Sequence, residues 1–263
     1  MDKPQQYFSQ HGEDFLLHRI FDSTPKGFFV EVGCIDGKRF SNSLFFEKLG
    51  WKGICIEAHP DYIPLLSGNR PSSTVVHAAV GETDQETVDF FANPRGSLST
   101  LDPTREKVFA ARYGRYFSGF EVQKVPMMTL NTIFTRAGVN SIDFISIDIE
   151  GSEVYALRGL DLQRFRPTVF VIESDSKEQK AQIDAILLPA GYHFLTSLSE
   201  NLFYSLEKRH RSIIANQSFS NVCITHTRHP LDSDGDRDWV VPIHTYSSKI
   251  RKELGKIWGF FRF

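Results

Sequence analysis

The stretch that decides the fold is FFVEVGCIDG at residues 28–37. Residues 28–32 form a short run rich in aromatic and β-branched side chains, which is typical of a buried parallel strand. Gly33 and Gly37 follow at a Gly-x-x-x-Gly spacing, and glycine lets the backbone approach a ligand closely. This spacing differs from the G-x-G-x-x-G of a dinucleotide site. The sequence therefore predicts that this strand opens an α/β sheet whose ligand lies at the turn after it.

The same kind of run recurs along the chain, ended each time by glycine, proline or an acidic residue. These runs are residues 53–57 (GICIE), 74–80 (TVVHAAV), 142–147 (IDFISI) and 168–172 (TVFVI). Helix-like stretches alternate with them at residues 42–49, 60–66, 130–137, 153–160 and 177–188. Strand followed by helix, repeated in this way, predicts a doubly wound, mostly parallel sheet with right-handed crossovers.

Two further segments complete the predicted fold. Residues 192–196 and 202–206 flank a turn-like segment, and they predict a hairpin that closes the sheet edge with an antiparallel strand, giving seven strands in all. Residues 86–125, which follow the third strand, are longer than a typical connection. This insertion is either a lid or substrate wall, or a purely structural addition.

Composition excludes several classes of protein. The chain has 263 residues, of which 41% are hydrophobic, with 30 Lys+Arg against 32 Asp+Glu and a net charge of −2. These values are ordinary for a folded domain, and they lack the basic field expected of a nucleic-acid-binding protein. No apolar run approaches the roughly 20 residues of a membrane span, and the start lacks a signal peptide's apolar stretch, so we expect a cytoplasmic protein. The three cysteines form no CxxC pair, which favours reduced thiols.

Acidic residues follow the predicted strands at the edge where an open α/β sheet binds its ligand. Glu31 and Asp36 flank the first glycine turn, and Glu57 ends the second strand. Their negative charge would repel a pyrophosphate but suits a ligand that carries an ammonium and a sulfonium, which indicates S-adenosylmethionine. A carboxylate at Glu57 can accept both ribose hydroxyls. Small residues around Ala79, at the end of the third strand, leave room for an adenine.

The fourth and fifth strands end in a second group of acids. Asp148 and Glu150 follow the fourth strand, and Glu173 and Asp175 follow the fifth. Asp148 with Glu173 or Asp175 can hold a divalent cation such as Mg²⁺ between neighbouring strand ends, or one carboxylate can act as a general base. For Glu150 and Glu153 the alternative is an acid near the N-terminus of a helix.

Five motifs, taken in order, resemble the FkbM family of S-adenosylmethionine-dependent methyltransferases. They are SQHGED at residues 9–14, FVEVGCIDGKRFSNS at 29–43, LGWKGICIEAHP at 49–60, HAAVG at 77–81 and FISIDIEGSE at 144–153. The resemblance covers roughly residues 7–206. It implies a class I methyltransferase fold, which is Rossmann-like, and O-methylation of hydroxyls in sugars, polysaccharides or secondary metabolites.

The resemblance also implies roles for individual residues. Glu31, Gly33 and Asp36 would line the methionine end of the cofactor, Glu57 would hold the ribose, and Asp148 would lie close to the reacting methyl group. The full expected cofactor site is Glu31, Gly33, Asp36, Gly37, Asn42, Glu57, Ala79 and Asp148. The expected substrate-binding residues are Gln10, His11 and Asp14, the expected catalytic residues Asp148, Glu150 and Glu173, and the expected metal ligands Asp148, Glu173 and Asp175.

Two departures from the usual motifs bear on the substrate and the pocket. The family's first strand more often ends in Asp-x-Gly-Ala, where this chain has Glu31 and Cys34. Asp-Ile-Glu-Gly at residues 148–151 replaces the Asn/Asp-Pro-Pro-Tyr/Phe of enzymes that methylate nucleic-acid bases, which counts against a nucleic-acid substrate. Two other function classes are a NAD-dependent oxidoreductase, disfavoured by the missing third glycine and the acidic first loop, and a non-catalytic binding subunit of the same fold.

The end of the chain differs in pattern from the rest. We expect residues 1–230 to form the domain, and residues 231–263 to form a linker and a basic amphipathic tail. Within residues 247–263 the apolar side chains recur at helical spacing among five Lys and Arg residues. That pattern suits peripheral contact with an anionic membrane surface, and it equally suits packing on the domain or on a second subunit.

Overall fold

The computed structural model describes residues 6–94, 97–114, 117–217, 222–226 and 239–242. The helices in these ranges are α1 (Glu13–Ile20), α2 (Leu44–Lys48), α3 (Ile63–Asn69), α4 (Arg105–Tyr113), α5 (Leu130–Arg136), α6 (Glu153–Arg158), α7 (Lys177–Leu187) and α8 (His210–Ala215), with a 3₁₀ turn at Pro60–Tyr62. The strands are β1 (Gln6–Tyr7), β2 (Phe28–Val32), β3 (Lys52–Glu57), β4 (Thr74–His77), β5 (Ala79–Val80), β6 (Gln85–Ala92), β7 (Glu121–Met128), β8 (Phe144–Ile147), β9 (Val169–Glu173), β10 (His193–Leu198), β11 (Asn201–Ser205), β12 (Cys223–His226) and β13 (Trp239–Pro242).

A seven-stranded mixed sheet forms the centre of the molecule, as the alternation of runs predicted. Its strand order is β4-β3-β2-β8-β9-β11-β10. The five strands from β4 to β9 are parallel, and β11 runs antiparallel to both of its neighbours. The hairpin lies at the sheet edge as expected, but its antiparallel strand is the inner one, so β10 is the edge strand.

The winding direction reverses between β2 and β8. From β2 the chain proceeds outward through β3 and β4, and it then returns to β8 on the other side of β2. Such a reversal leaves a crevice beyond the carboxyl ends of the two strands. The backbone closes tightly beneath it, since a Cβ built on Gly33 would lie 1.8 Å from the carbonyl oxygen of Asp148, and Gly33 has a φ of +86°. Only glycine fits at this position.

Alternation of side chains along the central strands buries both faces of the sheet. Phe29 and Phe144 face α1 and α2, in a cluster rich in aromatic rings that includes Trp51. Val30 and Ile145 face the other way, toward α5, α6 and α7. Because burial of each such side chain contributes about 1.5–3 kcal/mol, the two clusters fix the strand register and so the position of every strand end.

The inserted segment builds a second, smaller sheet. The predicted third strand is two strands here: β4 stays in the main sheet, while β5 pairs with β7 in a sheet of order β5-β7-β6. The single strand expected over residues 74–80 is therefore broken at Ala78. Helix α4 packs through Phe109 against Leu98 and Phe117. This segment lies beside the carboxyl ends of the main sheet.

Part of the C-terminal region falls within the described ranges. Strand β12 pairs with β1 and with β13, so residues 239–242 of the expected tail region belong to a three-stranded sheet. The basic amphipathic segment at residues 247–263 lies outside the described residues. Among the helices that the structure describes, none has the length and apolar character needed to span a bilayer.

Candidate functional site

A cavity of about 450 Å³ opens at the carboxyl ends of the main sheet. Gly33 after β2, Glu57 at the end of β3, Asp148 after β8 and Glu173 at the end of β9 form its floor. Four other parts of the chain form its walls: the inserted segment, the loop before α1, the loop after β2 and the turn between β10 and β11. The cavity therefore lies at the reversal of the sheet, where the sequence predicted a ligand, and its wall includes the insertion.

Glu57 occupies one end of this cavity. Its side chain is 7% exposed, and its two carboxylate oxygens accept the backbone N–H groups of Ile35 and His59, each at 2.7 Å. Burial raises the pKa of Glu57 to about 7, against these hydrogen bonds, which favour the ionised form. Glu57 also lines the cavity, and the backbone N–H groups of Cys34 and Ala58 act on its carboxylate from the same turn.

One part of the cavity lining is apolar, and we call it the apolar slot. It consists of Ala78, Ala79 and Val80 together with Phe90 of β6. Ala79 thus reaches the cavity, as expected from the short side chains in that part of the sequence. Short side chains beside an aromatic ring leave room for a flat ring system.

Three carboxylates lie together at the other end of the cavity. One oxygen from each of Asp148, Glu150 and Glu173 lies within 4.8 Å of the other two. Burial and the neighbouring charges raise the pKa of Glu150 to about 8 and that of Glu173 well above its usual value. Burial raises the pKa of Asp148 to about 6, and a hydrogen bond from Glu173 opposes that shift. Glu173 therefore holds a proton more strongly than Asp148 does, and Asp148 is the more readily ionised member of the pair.

The backbone at Glu150 has a strained conformation, and hydrogen bonds to the Glu153 side chain hold the residues on either side of it. Glu150 has a φ of +54°, in the left-handed region that side chains rarely adopt. Glu153 is fully buried beneath it, and its Oε1 accepts the N–H groups of Ile149 at 2.9 Å and Gly151 at 3.1 Å. Glu153 thus matches its expected alternative, an acid at the start of a helix, whereas Glu150 faces the cavity.

Asp175 does not join this carboxylate trio. It pairs with Arg105 of the inserted helix α4, and it lines a separate groove between α6, α7 and the insertion. Of the expected metal ligands, Asp148 and Glu173 lie together and Asp175 does not, and the third carboxylate beside the first two is Glu150. Arg105 neutralises Asp175, and the sequence gives no sign of this pairing because 70 residues separate the two. Three converging carboxylate oxygens are the ligands that a hard divalent cation prefers.

Glu31, expected at the cofactor, is instead part of a buried ion pair. Its carboxylate accepts hydrogen bonds from the hydroxyls of Ser41 and Ser43, from the backbone N–H of Asn42 and from Arg70, whose Nη1 lies 3.1 Å from Oε2. The Arg70 side chain also pairs with Glu47 at 2.7 Å. Glu31 is 4% exposed and does not line the cavity. The cause is the strand period, which places Glu31 on the same face as Phe29.

Three more of the expected cofactor residues shape the first loop without lining the cavity. Asp36 Oδ1 accepts the N–H groups of Lys38 and Arg39, at 2.9 and 2.8 Å. Gly37 has a φ of +81°, and a Cβ there would lie 2.6 Å from Arg70 Cγ. Asn42 donates through Nδ2 to Ser146 Oγ at 2.8 Å. These residues hold the turn after β2, so Gly33, Glu57, Ala79 and Asp148 are the expected cofactor residues that reach the cavity.

The loop before α1 contributes Gln10 and His11 to the cavity wall, as expected, but not Asp14. Asp14 is fully buried, and its carboxylate accepts the N–H groups of Phe8 and Ser9. Burial raises its pKa to about 7. Asp14 is therefore a structural cap of its own segment, because its partners lie within six residues of it.

Four wall residues that carry a charge or a phenol were not expected from the sequence. They are Arg39, Arg112, Tyr113 and Glu200. Arg112 and Glu200 form an ion pair with an N–O distance of 3.1 Å between α4 and the β10–β11 turn. The length of the insertion was the signal for Arg112 and Tyr113, whereas nothing local to the sequence marks Glu200.

Comparison with known protein families identifies a match over most of the central sheet. A model of the methyltransferase FkbM domain matches residues 31–194. No curated protein matches the chain.

Similar solved structures include the precorrin-6y C5,15-methyltransferase of Geobacter metallireducens, at 10% identity and a TM-score of 0.40 over 88% of this chain and 83% of that one. A TehB-like SAM-dependent methyltransferase of Corynebacterium glutamicum has 11% identity and a TM-score of 0.40 over 75% and 88%. Aeropyrum pernix fibrillarin, in complex with natively bound S-adenosyl-L-methionine, has 10% identity and a TM-score of 0.37 over 68% and 66%. These scores are too low to assign a property to this chain.

Proposed function

The chain belongs to the methyltransferase FkbM domain family, and from this premise we propose that it transfers a methyl group from S-adenosylmethionine to a hydroxyl of a sugar, a polysaccharide or a secondary metabolite. One observation carries the proposal: a single cavity holds a buried carboxylate, Glu57, at one end and three mutually close carboxylates at the other. The first suits a ribose, and the second suits the activation of a weakly acidic hydroxyl.

The cofactor would span the floor of the cavity. In this proposal Glu57 accepts the two ribose hydroxyls, and the slot at Ala79 takes the adenine. The methionine end would pass Gly33, which lines the cavity between β2 and β8. The negative potential of the acids attracts the sulfonium, whereas it would repel the pyrophosphate of a dinucleotide.

Methyl transfer needs an acceptor oxygen held in line with the methyl group, and most of the rate enhancement comes from that positioning. The oxygen attacks the methyl carbon, the carbon–sulfur bond breaks, and its electron pair stays on sulfur. A sugar hydroxyl is too weak an acid to react rapidly unaided, so a base must take its proton. We assign that role to Asp148, which is the more readily ionised member of its pair with Glu173.

The same three carboxylates favour a second route for activating the hydroxyl. Asp148, Glu150 and Glu173 would hold a divalent cation such as Mg²⁺, and the cation would lower the pKa of a bound hydroxyl. The two routes differ in one measurement. Turnover that survives exhaustive treatment with EDTA supports the base alone, and turnover that is lost with EDTA and restored by Mg²⁺ supports the cation.

Calorimetry and a panel of acceptors test the function itself. S-adenosylmethionine should bind, and NAD should not, when each is titrated into the full chain with and without Mg²⁺. Transfer of a labelled methyl group to a panel of methyl glycosides should then identify an acceptor. Binding of NAD in place of S-adenosylmethionine would support an oxidoreductase. Cofactor binding without transfer to any hydroxyl would support a non-catalytic subunit.

Residues 247–263 carry a separate proposal about location. A cytoplasmic protein with a basic amphipathic segment would contact an anionic membrane surface through that segment. Pelleting with anionic liposomes, for the full chain and for a chain that ends at residue 246, tests this contact. Equal pelleting of the two would exclude it and favour packing of the segment on the domain or on a second subunit.

A further inference from the structure

Glu13 is a fully buried carboxylate at the start of α1 that the proposed chemistry does not use. Its Oε2 accepts the backbone N–H of His11 at 2.8 Å, and its Oε1 accepts the side-chain amide of Asn201 at 2.9 Å. A buried carboxylate is costly unless donors surround it. Asn201 lies 188 residues from Glu13 in the chain, so Glu13 ties the loop before α1 to the start of β11.

Both of the tied segments end in the cavity wall. His11 lines the cavity on one side of Glu13, and Ser199 and Glu200 line it just before Asn201 on the other. Glu200 in turn pairs with Arg112 of the insertion. Glu13 itself does not line the cavity. It therefore joins two of the segments that enclose the cavity end opposite Glu57, and Glu200 extends that connection to the insertion.

The neighbouring acid, Asp14, differs from Glu13 in where its hydrogen-bond partners lie in the chain. Asp14 is equally buried, but its partners Phe8, Ser9 and Phe15 all belong to its own segment. Loss of its hydrogen bonds would loosen the start of α1 without separating one wall segment from another. Of the two adjacent carboxylates, only Glu13 connects the N-terminal loop to the β10–β11 turn.

We propose that Glu13 is a positioning residue for the acceptor: by holding His11 against the β10–β11 turn, it sets the shape of the acceptor end of the cavity. This inference rests on the proposed methyl transfer. Its effect falls on the KM for the acceptor, because the S-adenosylmethionine end, at Gly33, Glu57 and Ala79, has no hydrogen bond to Glu13.

Two substitutions separate the reach of the side chain from its charge. Glu13→Asp keeps the charge but shortens the side chain by one methylene, so it cannot reach both donors. Glu13→Gln loses the charge but keeps the length, and it retains both ties if the Asn201 amide turns over to present its oxygen. We expect Glu13→Asp to raise the acceptor KM at least tenfold, and Glu13→Gln to change it less than threefold.

The measurement uses the methyl glycoside with the highest kcat/KM in the panel, together with calorimetry of S-adenosylmethionine binding. The cofactor Kd should stay within twofold in both variants. Asp143→Ala is the control: Asp143 Oδ2 accepts the backbone N–H of Phe28 at 2.7 Å and Asp143 does not line the cavity, so this variant should lower the Tm and leave the acceptor KM within twofold. If Glu13→Asp fails to fold, Asn201→Ala breaks the same tie from the other end and carries the same expectation.

An NMR signal of the backbone reports on the Glu13 hydrogen bonds and needs no methyl-acceptor substrate. The amide resonance of His11 in ¹H–¹⁵N spectra should move in Glu13→Asp and stay near its wild-type position in Glu13→Gln. This readout remains available if no glycoside is methylated, so failure of the proposed function and failure of the positioning role are distinguishable. An unchanged acceptor KM in Glu13→Asp, or an unmoved His11 signal, would overturn the inference. So would equal damage to KM by Glu13→Asp and Glu13→Gln.

Discussion

Glu31 and the carboxylate trio of Asp148, Glu150 and Glu173 lie at neighbouring strand ends, yet they differ in what their oxygens contact. Glu31 is surrounded by hydroxyl, amide and guanidinium donors, including Arg70. The trio faces itself, and repulsion between its members adds to burial in raising the pKa of Glu150 and Glu173. An acid whose donors are all supplied by the protein maintains the fold. Acids that face other acids retain capacity for a proton, a cation or a hydroxyl.

The largest effect expected from this contrast is on catalysis. Asp148→Asn removes the more readily ionised carboxylate but keeps the size of the side chain, so we expect kcat for methyl transfer to fall about 10²- to 10⁴-fold. The Kd for S-adenosylmethionine should change far less, because the ribose contact belongs to Glu57. Steady-state rates and calorimetry on the same preparation measure both quantities. Full turnover in this variant would remove Asp148 as the base.

The second largest effect is on the free energy of unfolding, and it concerns Glu31. Glu31→Ala leaves the buried Arg70 with Glu47 as its remaining acidic partner and removes the acceptor of Ser41, Asn42 and Ser43, so we expect a loss of about 3 kcal/mol of unfolding free energy, the low end of the range for a broken buried pair. Urea denaturation of the apo chain measures this loss. Lys124→Ala is the control, since it breaks an exposed pair with Asp89 and should cost no more than about 1 kcal/mol. A small loss in Glu31→Ala would mean that Glu31 is not a structural acid.

Glu57 lies between these two extremes, because it accepts backbone donors and also lines the cavity. The ionised form is the one that accepts ribose hydroxyls, and the pKa in the free protein is about 7. Affinity for S-adenosylmethionine should therefore rise about tenfold from pH 6 to pH 8. Calorimetry across this range tests the slope. Glu57→Gln should bind more weakly and show a flat profile, and a flat wild-type profile would separate Glu57 from the ribose.

The smallest effect is a gain in stability. Glu150→Gln removes one charge from the trio, so the apo chain should gain about 1 kcal/mol at pH 8, because one pKa unit corresponds to about 1.4 kcal/mol and solvent screens part of the repulsion. Thermal unfolding in EDTA measures the shift. Glu178→Gln, on the exposed first turn of α7, is the control and should leave the Tm nearly unchanged. A loss of stability in Glu150→Gln would mean that this side chain has a donor in the fold.

The sequence was sufficient to predict the sheet and the edge at which the cavity opens. Each central strand is a compact apolar run, and glycines and acids mark the strand ends, so the run order leads directly to the crevice between β2 and β8. The break at Ala78 could not be predicted from the sequence. It arises because β5 pairs with β7, some 50 residues later, and not with the main sheet.

The positions of individual acids differ from those expected where an acid pairs with a residue distant in the sequence. Glu31 pairs with Arg70, 39 residues away, and Asp175 pairs with Arg105, 70 residues away. A carboxylate that will meet an arginine looks the same in the sequence as one that will not. Strand alternation was the available signal for Glu31, since it shares a face with Phe29 and not with Val32.

The place of β11 in the sheet has a consequence for the order of assembly. The ribosome releases β9 and β10 first, yet β11 must enter between them, so the edge of β9 stays unpaired until residue 205 has emerged. The hydrogen bond between Glu13 and Asn201 also forms only at this stage, because Asn201 belongs to β11. The first helix and the last strand of the central sheet are thus completed in one step. A chain arrested before that strand exposes both a bare strand edge and an unpaired buried acid, which are the features that chaperones and proteases recognise in unfinished proteins.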